Sequence, residues 1–244
     1  VGWGLGEESW SLGYSVFTGD PKSKELHQRL DDFTFRDTTR EDGVSLRTSA
    51  AMHDSGDGTM TQTVYGYTGP RELKGVIAIK GLGGFDHPVV GPIAHKQRGK
   101  NRRKVKLVRV GREATHTLLY TRLELDHPGP GYCHFPDWHE YTEKFFKELT
   151  AFRRKLRYRR GHPYYEWIKP SGMRDEANSC RRYNIAAFYL QNPALESIAA
   201  RLDQRKLERP LQRTENASPE PAQPRVAANG RRAPGRRVIK SRNH

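Results

Sequence analysis

The first residue in this sequence whose type and position suit chemistry is Asp54, which directly follows the segment Val44–His53. That segment predicts a strand, and a carboxylate at the end of a buried strand lies at the sheet edge where α/β folds place their ligand sites. With Asp57 close behind, the spacing indicates a divalent-metal site, because Mg²⁺ takes one or two carboxylates together with water and phosphate oxygens. Asp-Ser-Gly-Asp-Gly is also ordinary turn chemistry, and from these residues alone the plain turn is favoured.

A second acidic pair, Asp175 and Glu176, lies at the start of the predicted helix Arg174–Gln191. Helical spacing puts Ser179 on the same face as both acids, which could then lean over the edge near Asp54. The neighbouring stripe, predicted to pack on the sheet, is Cys180, Tyr183, Ala187 and Leu190. By itself, the acidic pair is better explained as a complement to the positive N-terminus of the helix.

Two basic segments, Lys96–Lys106 and Arg153–Arg160, are the candidates for phosphate contacts. Each offers several cations over a short span, and clustered Lys and Arg bind nucleic acid by releasing condensed counterions. The individual candidates are Lys80, Lys96, Arg98, Lys100, Arg102, Arg103, Arg153, Arg154, Arg157 and Arg159. Aromatic residues interleaved with the second segment could stack on bases, although aromatic residues in a hairpin more often pack within the protein.

The composition also indicates an anionic partner. The 244 residues carry a formal net charge of +15, so nucleic acid is the first candidate, and the alternative is a solvated basic surface without a partner. The two cysteines are too few for a disulfide framework and predict free thiols in a reducing compartment. Because the sequence has neither a signal peptide nor an apolar run of about 18 residues, we expect a soluble intracellular protein.

Alternating strands and helices must position these residues. Strands are predicted at Glu8–Thr18, Val44–His53, Gly75–Lys80 and Lys104–Val110, and a hairpin at Arg153–Ile168. Helices are predicted from Pro21 to about Phe33, at Thr59–Tyr67, Glu113–Leu123, Asp137–Phe152 and Arg174–Gln191, and from Ala194 to about Leu207. A flexible basic insertion is predicted at Phe85–Arg103. This order predicts an α/β fold with a mixed sheet and an antiparallel element.

We predict one domain over residues 1–208 and a basic tail over residues 209–244. The tail is dominated by Pro, Ala, Arg, Asn and Gln, with few large apolar residues. Because such a segment buries too little apolar surface to offset the entropy of ordering it, we expect it to be disordered.

Seven motifs carry a resemblance to a known family. In order they are VGWGLGEESW, GYSVFTGDP, AAMHDSGDGTMTQTVYGY, AIKG, PGPGYCHFP, EYTEKFFKELTA and RDEANSCRRYNIAA. Together they resemble the nuclease domain of the lambda-type (GpA-like) large terminase subunits of tailed phages, from Val1 to about Pro193. No single motif is decisive, but their order is hard to obtain by chance.

The resemblance implies a ribonuclease H-like fold: a mixed central sheet flanked by helices, with a β-hairpin inserted before the last helix. In this family, acids from the first strand, a later strand end and the last helix hold divalent metals, Mg²⁺ or Mn²⁺, that cut double-stranded DNA during genome packaging. Asp54 in His-Asp-Ser-Gly matches the strand-end acid, which reverses the preference for a plain turn. The implied catalytic residues are Asp54, Glu176 and Asp175, with Asp54 and Glu176 as metal ligands.

The resemblance also implies partners and a location. The expected partners are double-stranded DNA, the small terminase subunit and the portal or procapsid, without a membrane. The expected location is the cytoplasm of the bacterial host cell.

The sequence departs from the family pattern at two places. The family's first-strand acid lies upstream of the segment matched by Val1-Gly2-Trp3-Gly4, so the chain is expected to begin after that acid and after the ATPase motor. Ser179 stands where the family has an acid, and Asp175 stands where it has an amide, while Glu176 is retained. A serine hydroxyl carries no charge to balance a metal ion. We therefore expect a partial or degenerate endonuclease domain.

Two other functions compete with this one. The first is a non-catalytic module for DNA binding or packaging assembly on the same fold, which the missing acids favour. The second is an unrelated basic protein that binds RNA or DNA, which would leave the ordered series of motifs unexplained.

Overall fold

A mixed four-stranded sheet is the centre of this computed structural model, which describes residues 1–98 and 103–204. The strands are β1 (Gly2–Trp3), β2 (Ser9–Trp10), β3 (Thr38–Thr39), β4 (Ser45–Leu46), β5 (Ala51–Asp54), β6 (Val76–Leu82), β7 (Val90–Arg98), β8 (Arg103–Gly111), β9 (Cys133–His134), β10 (Arg153–Arg159) and β11 (His162–Ile168). The helices are α1 (Lys24–Thr34), α2 (Thr61–Thr68), α3 (Arg112–Leu123), α4 (Glu143–Leu149) and α5 (Glu176–Gln191), with 3₁₀ turns at Leu5–Glu7 and Gly69–Lys74.

The central sheet has the strand order β5-β6-β8-β7. The first three strands are parallel, and β7 adds an antiparallel edge to β8. In β6 the run Val76–Ile79 is buried throughout, which is typical of a parallel strand covered on both faces. The predicted α/β class is therefore confirmed.

Helices cover both faces of the sheet. On one face, Ile79 and Val110 pack with Ala186 of α5. On the other face, Ala78 and Leu107 pack with Tyr65 of α2. Burying a large apolar side chain contributes about 1.5–3 kcal/mol, so the alternation of apolar residues along β6 and β8 holds the sheet between the two helices.

A second core joins α5 to α3 and α4. Its buried members are Leu119, Phe145, Leu149, Ala177 and Ile185. The α4 helix begins after Thr142, whose side chain accepts a hydrogen bond from the backbone NH of Phe145. The start of α5, at Ala177, is thereby packed against α3 and α4.

Residues 37–47 and 194–204 belong to a second compact unit. In it, β3 and β4 pair antiparallel, and residues 195–204 are helical. The tail predicted over residues 209–244 lies outside the described residues, and the domain boundary at residue 208 stays a prediction.

Three predicted elements are shorter than expected. Of Glu8–Thr18 only Ser9–Trp10 is a strand, because its partners β1 and β9 are themselves only two residues long. Of Val44–His53, only the last three residues enter the central sheet, and Asp54 is the final residue of the strand. The helix expected over Asp137–Phe152 covers only Glu143–Leu149.

The prediction of a flexible insertion at Phe85–Arg103 is wrong over Val90–Arg98. Val90–Arg98 forms a strand that pairs along β8, with an irregularity between Val90 and Ile93. Its Lys, Arg, Gly and Pro content hid the strand, but an edge strand tolerates polar and charged residues because one of its sides faces solvent.

His116 of α3 is a fully buried histidine. Its side chain is 0% exposed, and its ring lies 4.1 Å from that of Phe152, measured between centroids. Within residues 1–98 and 103–204, neither ring nitrogen has a hydrogen-bond partner. Burial, followed by the charges of Arg182 and Arg112, lowers the pKa of His116 to about 2. The ring is therefore neutral in the folded protein.

Substituting His116 tests this burial through the pH dependence of stability. The unfolded chain binds a proton at His116 near pH 6.5, whereas the folded protein binds it only near pH 2. The unfolding free energy is therefore highest above pH 6.5 and decreases as the pH falls toward 2. We expect His116→Phe to reduce the slope of unfolding free energy against pH by up to about 1.4 kcal/mol per pH unit below pH 6. Urea titrations between pH 4 and 7 measure it.

The matched control is His139→Gln, because the side chain of His139 is 82% exposed. It should leave the slope unchanged. Parallel slopes for His116→Phe and the unsubstituted protein would show that the ring is not buried as a neutral group.

Candidate functional site

Asp54 is held at the carboxyl end of β5. The next residue, Ser55, is 2% exposed. Its backbone NH and its hydroxyl both donate to the carbonyl oxygen of Ile79 in β6, at 2.8 and 2.7 Å. Gly56 NH donates to Asp54 Oδ1 at 2.8 Å. The Asp54 side chain, in contrast, is exposed, so a fixed backbone presents a carboxylate to solvent.

A glycine sets the other end of the β5–β6 pair. Gly75 has a φ of +82°, and a Cβ there would lie 2.3 Å from the carbonyl oxygen of Ser49. The Gly75 carbonyl accepts from Ala51 NH at 3.0 Å. Only glycine fits this left-handed, close approach, and the pairing that begins here brings Asp54 opposite Ile79.

Tyr183 connects α5 to Asp54. Its hydroxyl donates to Asp54 Oδ2 at 2.6 Å, and its ring packs against the apolar face of the sheet. Burial, followed by the hydrogen bond and charge of Asp54, raises the pKa of Tyr183, so the hydroxyl remains a donor. Its helical spacing predicted only that Tyr183 belongs to an apolar stripe, and no sequence signal indicated the hydrogen bond to Asp54.

Asp57 belongs to the turn that precedes α2. Its Oδ1 accepts from Thr59 NH at 2.8 Å and from the Thr59 hydroxyl at 2.7 Å. These hydrogen bonds lower the pKa of Asp57. The plain-turn interpretation therefore accounts for Asp57, whereas Asp54 points its second oxygen to another element.

Asp175 and Ser179 form the contact predicted from their spacing. The Ser179 hydroxyl lies 3.4 Å from Asp175 Oδ2, and Asp175 Oδ1 pairs with Lys169 Nζ. Arg182 Nη2 donates to Ser179 Oγ at 3.2 Å. The hydroxyl thus lies between a carboxylate and a guanidinium.

Arg182 is a buried cation at this edge. Its side chain is 4% exposed, and its other hydrogen bonds go to Asn178 Oδ1 at 2.9 Å and Thr115 Oγ1 at 3.4 Å. Burial lowers the pKa of Arg182, and the charges of Asp175 and Asp54 act in the opposite direction. The direct hydrogen-bond partners of this guanidinium, Asn178, Thr115 and Ser179, are all neutral.

Glu176 faces a different set of groups. It pairs with Arg174 at 3.1 Å, and this interaction lowers the pKa of Glu176. Its charge contributes to raising the pKa values of Tyr14 and Cys180. In the part of the chain that the structure describes, Glu176 shares no hydrogen bond or ion pair with Asp54 or Arg182.

The donors at this edge fit one hard cation better than two. The described residues contain no group of three or more His, Cys, Asp or Glu side chains that could hold a metal ion. Asp54 is an exposed carboxylate, which suits Mg²⁺ completed by water and phosphate oxygens. Asp175 and Glu176 each have a cationic partner. A site that clamps two ions needs more free carboxylates than these residues offer.

The predicted phosphate-binding residues separate into several places. Lys80 is exposed in β6, opposite Arg109 in the register of the β6–β8 pair, and Lys96 is exposed in β7. Lys100 and Arg102 lie outside the described residues, as do the side chains of Arg98 and Arg103.

The predicted hairpin is confirmed, and its register sorts the remaining cations. Strand alternation puts Arg153, Arg157 and Arg159 on one face. Lys155, which the sequence analysis did not single out, shares that face. Arg154 lies on the other, with its guanidinium 3.7 Å from the centroid of the Tyr165 ring.

A double-mutant cycle tests the contact that defines the site. Tyr183→Phe and Asp54→Asn remove the two ends of one hydrogen bond, so their effects on unfolding free energy should couple by about 1 kcal/mol. Urea unfolding of the four proteins measures the coupling. Replacing Asp54→Asn by Asp57→Asn gives the matched control, which should be additive. Additivity of the Asp54 cycle would contradict the contact.

Comparison with known proteins identifies the family. The model for the terminase large subunit gpA endonuclease domain matches residues 1–200. The terminase large subunit of Escherichia phage lambda is 31% identical over 194 residues, which cover 77% of this chain and 29% of that protein. That of Enterobacteria phage P21 is 26% identical with the same coverage. The chain thus spans less than a third of either relative.

No solved structure matches the chain. Among the described residues, no helix is long and apolar enough to cross a membrane. The match over residues 1–200 nevertheless covers most of the sequence, and the chain therefore belongs to the family of gpA-type terminase large subunit endonuclease domains.

Proposed function

We propose that this chain is a metal-dependent endonuclease domain that acts on double-stranded DNA during phage packaging, with Asp54 as the main ligand of Mg²⁺ or Mn²⁺. The observation that carries the proposal is the exposed Asp54 carboxylate, fixed at the carboxyl end of a parallel strand and contacted by the last helix of its unit, α5. Ligand sites of α/β sheets lie at this edge. The covered mixed sheet also supports a ribonuclease H-like arrangement, which belongs to the same proposal.

The contacts favour Asp175 as the second carboxylate. The family resemblance assigns catalytic roles to Glu176 and Asp175 and a metal-binding role to Glu176. Asp175, however, is linked through the Ser179 hydroxyl to Arg182, and the next residue of the helix, Tyr183, binds Asp54. Glu176 is engaged with Arg174. A cation at Asp54 would therefore draw on Asp175 once Lys169 is displaced.

The second candidate is a module that binds DNA without cutting it. Lys169, Arg174 and Arg182 supply positive charge beside the candidate carboxylates, which is the observation that favours it. A positive charge beside a carboxylate weakens the binding of a metal cation by that carboxylate. The same positive charge attracts the phosphate groups of DNA. In both candidates the partners are double-stranded DNA, the small terminase subunit and the portal or procapsid, in the host cytoplasm.

Plasmid nicking separates the two candidates. We expect weak nicking of supercoiled DNA in Mg²⁺ or Mn²⁺, because few carboxylates are free, and strong, salt-dependent DNA binding. Asp54→Asn should abolish the nicking while leaving DNA affinity within about twofold. The matched control, Asp57→Asn, alters a carboxylate in the same turn and should nick as before. Nicking that survives Asp54→Asn would overturn the assignment of Asp54, and an inactive chain that still binds DNA would favour the second candidate.

Restoring an acid at position 179 gives a further test. The new carboxylate of Ser179→Asp would lie beside the Arg182 guanidinium, whose Nη2 is 3.2 Å from the present hydroxyl. We expect this single substitution to raise the melting temperature without strengthening Mn²⁺ binding, because Arg182 neutralises the added charge. Ser179→Asp combined with Arg182→Met should bind Mn²⁺ about tenfold more tightly, as measured by calorimetry.

Asn184→Asp is the matched control, since it adds a carboxylate to the same helix away from Ser179. It should leave Mn²⁺ affinity unchanged. A tenfold gain from Ser179→Asp alone would show that Arg182 does not control the site.

A further inference from the structure

The hairpin formed by β10 and β11, here called the arm, is a regular ribbon outside the core. Seven residue pairs run without a break from Arg153 and Ile168 to Arg159 and His162. The turn residues Arg160 and Gly161 have φ values of +50° and +80°, as in the two-residue turns that match strand twist. Every residue of β10 is exposed. At about 3.3 Å per residue, the arm is about 20 Å long.

The base of the arm is anchored to α3. The Trp167 ring stacks on Tyr120 with centroids 4.3 Å apart. Its indole NH donates to Thr117 Oγ1, and its backbone NH donates to Glu113 Oε2, each at 3.2 Å. An isolated two-stranded ribbon is marginally stable in water. The anchored end is therefore supported by the protein. Farther out, the Tyr164 ring contacts Phe85 with centroids 4.4 Å apart, so only the opposite face of the outer half lies fully in solvent.

One face of the arm, the basic face, carries a row of cations. Its members from β10 are Arg153, Lys155, Arg157 and Arg159. Its one carboxylate, Glu166, pairs with Arg157 at 3.1 Å. Alternate residues of a strand repeat about every 6.6 Å, which is close to the rise of two successive phosphates of one DNA strand, about 3.4 Å each along the helix axis. The spacing therefore suits a nucleic-acid backbone.

The opposite face of the outer half, the apolar face, is exposed without an intramolecular role. Leu156, Tyr158 and Tyr165 are 42%, 69% and 49% exposed, and Tyr158 is paired with Pro163. The ring of Tyr165 is covered by Arg154. In the described parts of the chain, the Tyr158 ring has no aromatic, cation or hydrogen-bond partner. Packing within the protein thus accounts for the Trp167 side chain, but it gives no reason for the exposed ring of Tyr158.

We propose that the outer half of the arm enters a groove of duplex DNA, where Tyr158, Leu156 and Pro163 form a wedge that unstacks a base step. The basic face holds the flanking phosphates. Apolar side chains inserted between base steps open and kink the duplex at a cost that added backbone contacts offset. The occupant is DNA because a row of cations lies directly behind the apolar face. This inference rests on the DNA binding proposed above.

Fluorescence of 2-aminopurine placed in a duplex tests the wedge, because unstacking the base raises its emission. The full chain should raise the emission at saturation. Tyr158→Ala should remove most of that rise and weaken binding by about fivefold or more, whereas Tyr158→Phe should retain both. Lys155→Ala should weaken binding and lower the salt slope by about one, yet keep the rise at saturation.

Leu73→Ala is the matched control, because Leu73 is fully exposed elsewhere, and it should change neither quantity. DNA binding without a rise in emission would overturn the wedge and leave DNA binding standing. Absence of DNA binding would overturn the proposed function instead. A dimer in light scattering that Tyr158→Ala dissociates would assign the apolar face to a second copy of the chain and overturn the wedge.

Discussion

The burial of two adjacent arginines on α5 is the constraint on which the carboxyl edge of the sheet depends. Arg181 and Arg182 are each 4% exposed, and a buried guanidinium is costly unless it is hydrogen-bonded. Arg181 donates to Ser9 Oγ at 2.6 Å, while Arg182 reaches Thr115 of α3 at 3.4 Å. These bonds fix the rotation and height of the helix, so the next residue, Tyr183, meets the end of β5.

The same arginines decide the electrostatics of the edge. Arg182 lies beside Ser179, which in turn contacts Asp175. Under the proposed function, a metal ion that used Asp175 would therefore compete with this buried guanidinium. A phosphate group meets no such competition. Under the proposed function, we therefore expect DNA binding and DNA cutting to depend on different residues, so a change that weakens one need not weaken the other.

The elements that could be predicted from the sequence are those that a local residue pattern determines. The apolar run at Gly75–Lys80 predicted a buried strand, and alternation around Gly161-His162-Pro163 predicted the hairpin. Local pattern failed to predict β7, because this strand is specified by its pairing with β8 and not by its own composition. The hydrogen bond between Tyr183 and Asp54 joins residues 129 positions apart, and no local sequence pattern encodes such a contact. Lys155, in contrast, could have been found by applying the two-residue period of a strand to Arg153–Arg159.

We propose that Asp54, at the carboxyl end of β5, is the residue that takes the divalent cation. Anomalous diffraction from crystals of the chain grown with Mn²⁺ is the sharpest test, because the signal locates the ion independently of activity. We expect one peak about 2.1 Å from an Asp54 carboxylate oxygen and none at Asp57. A peak at Asp57 or Glu176 alone, or no peak at saturating Mn²⁺, would show that Asp54 does not hold the ion.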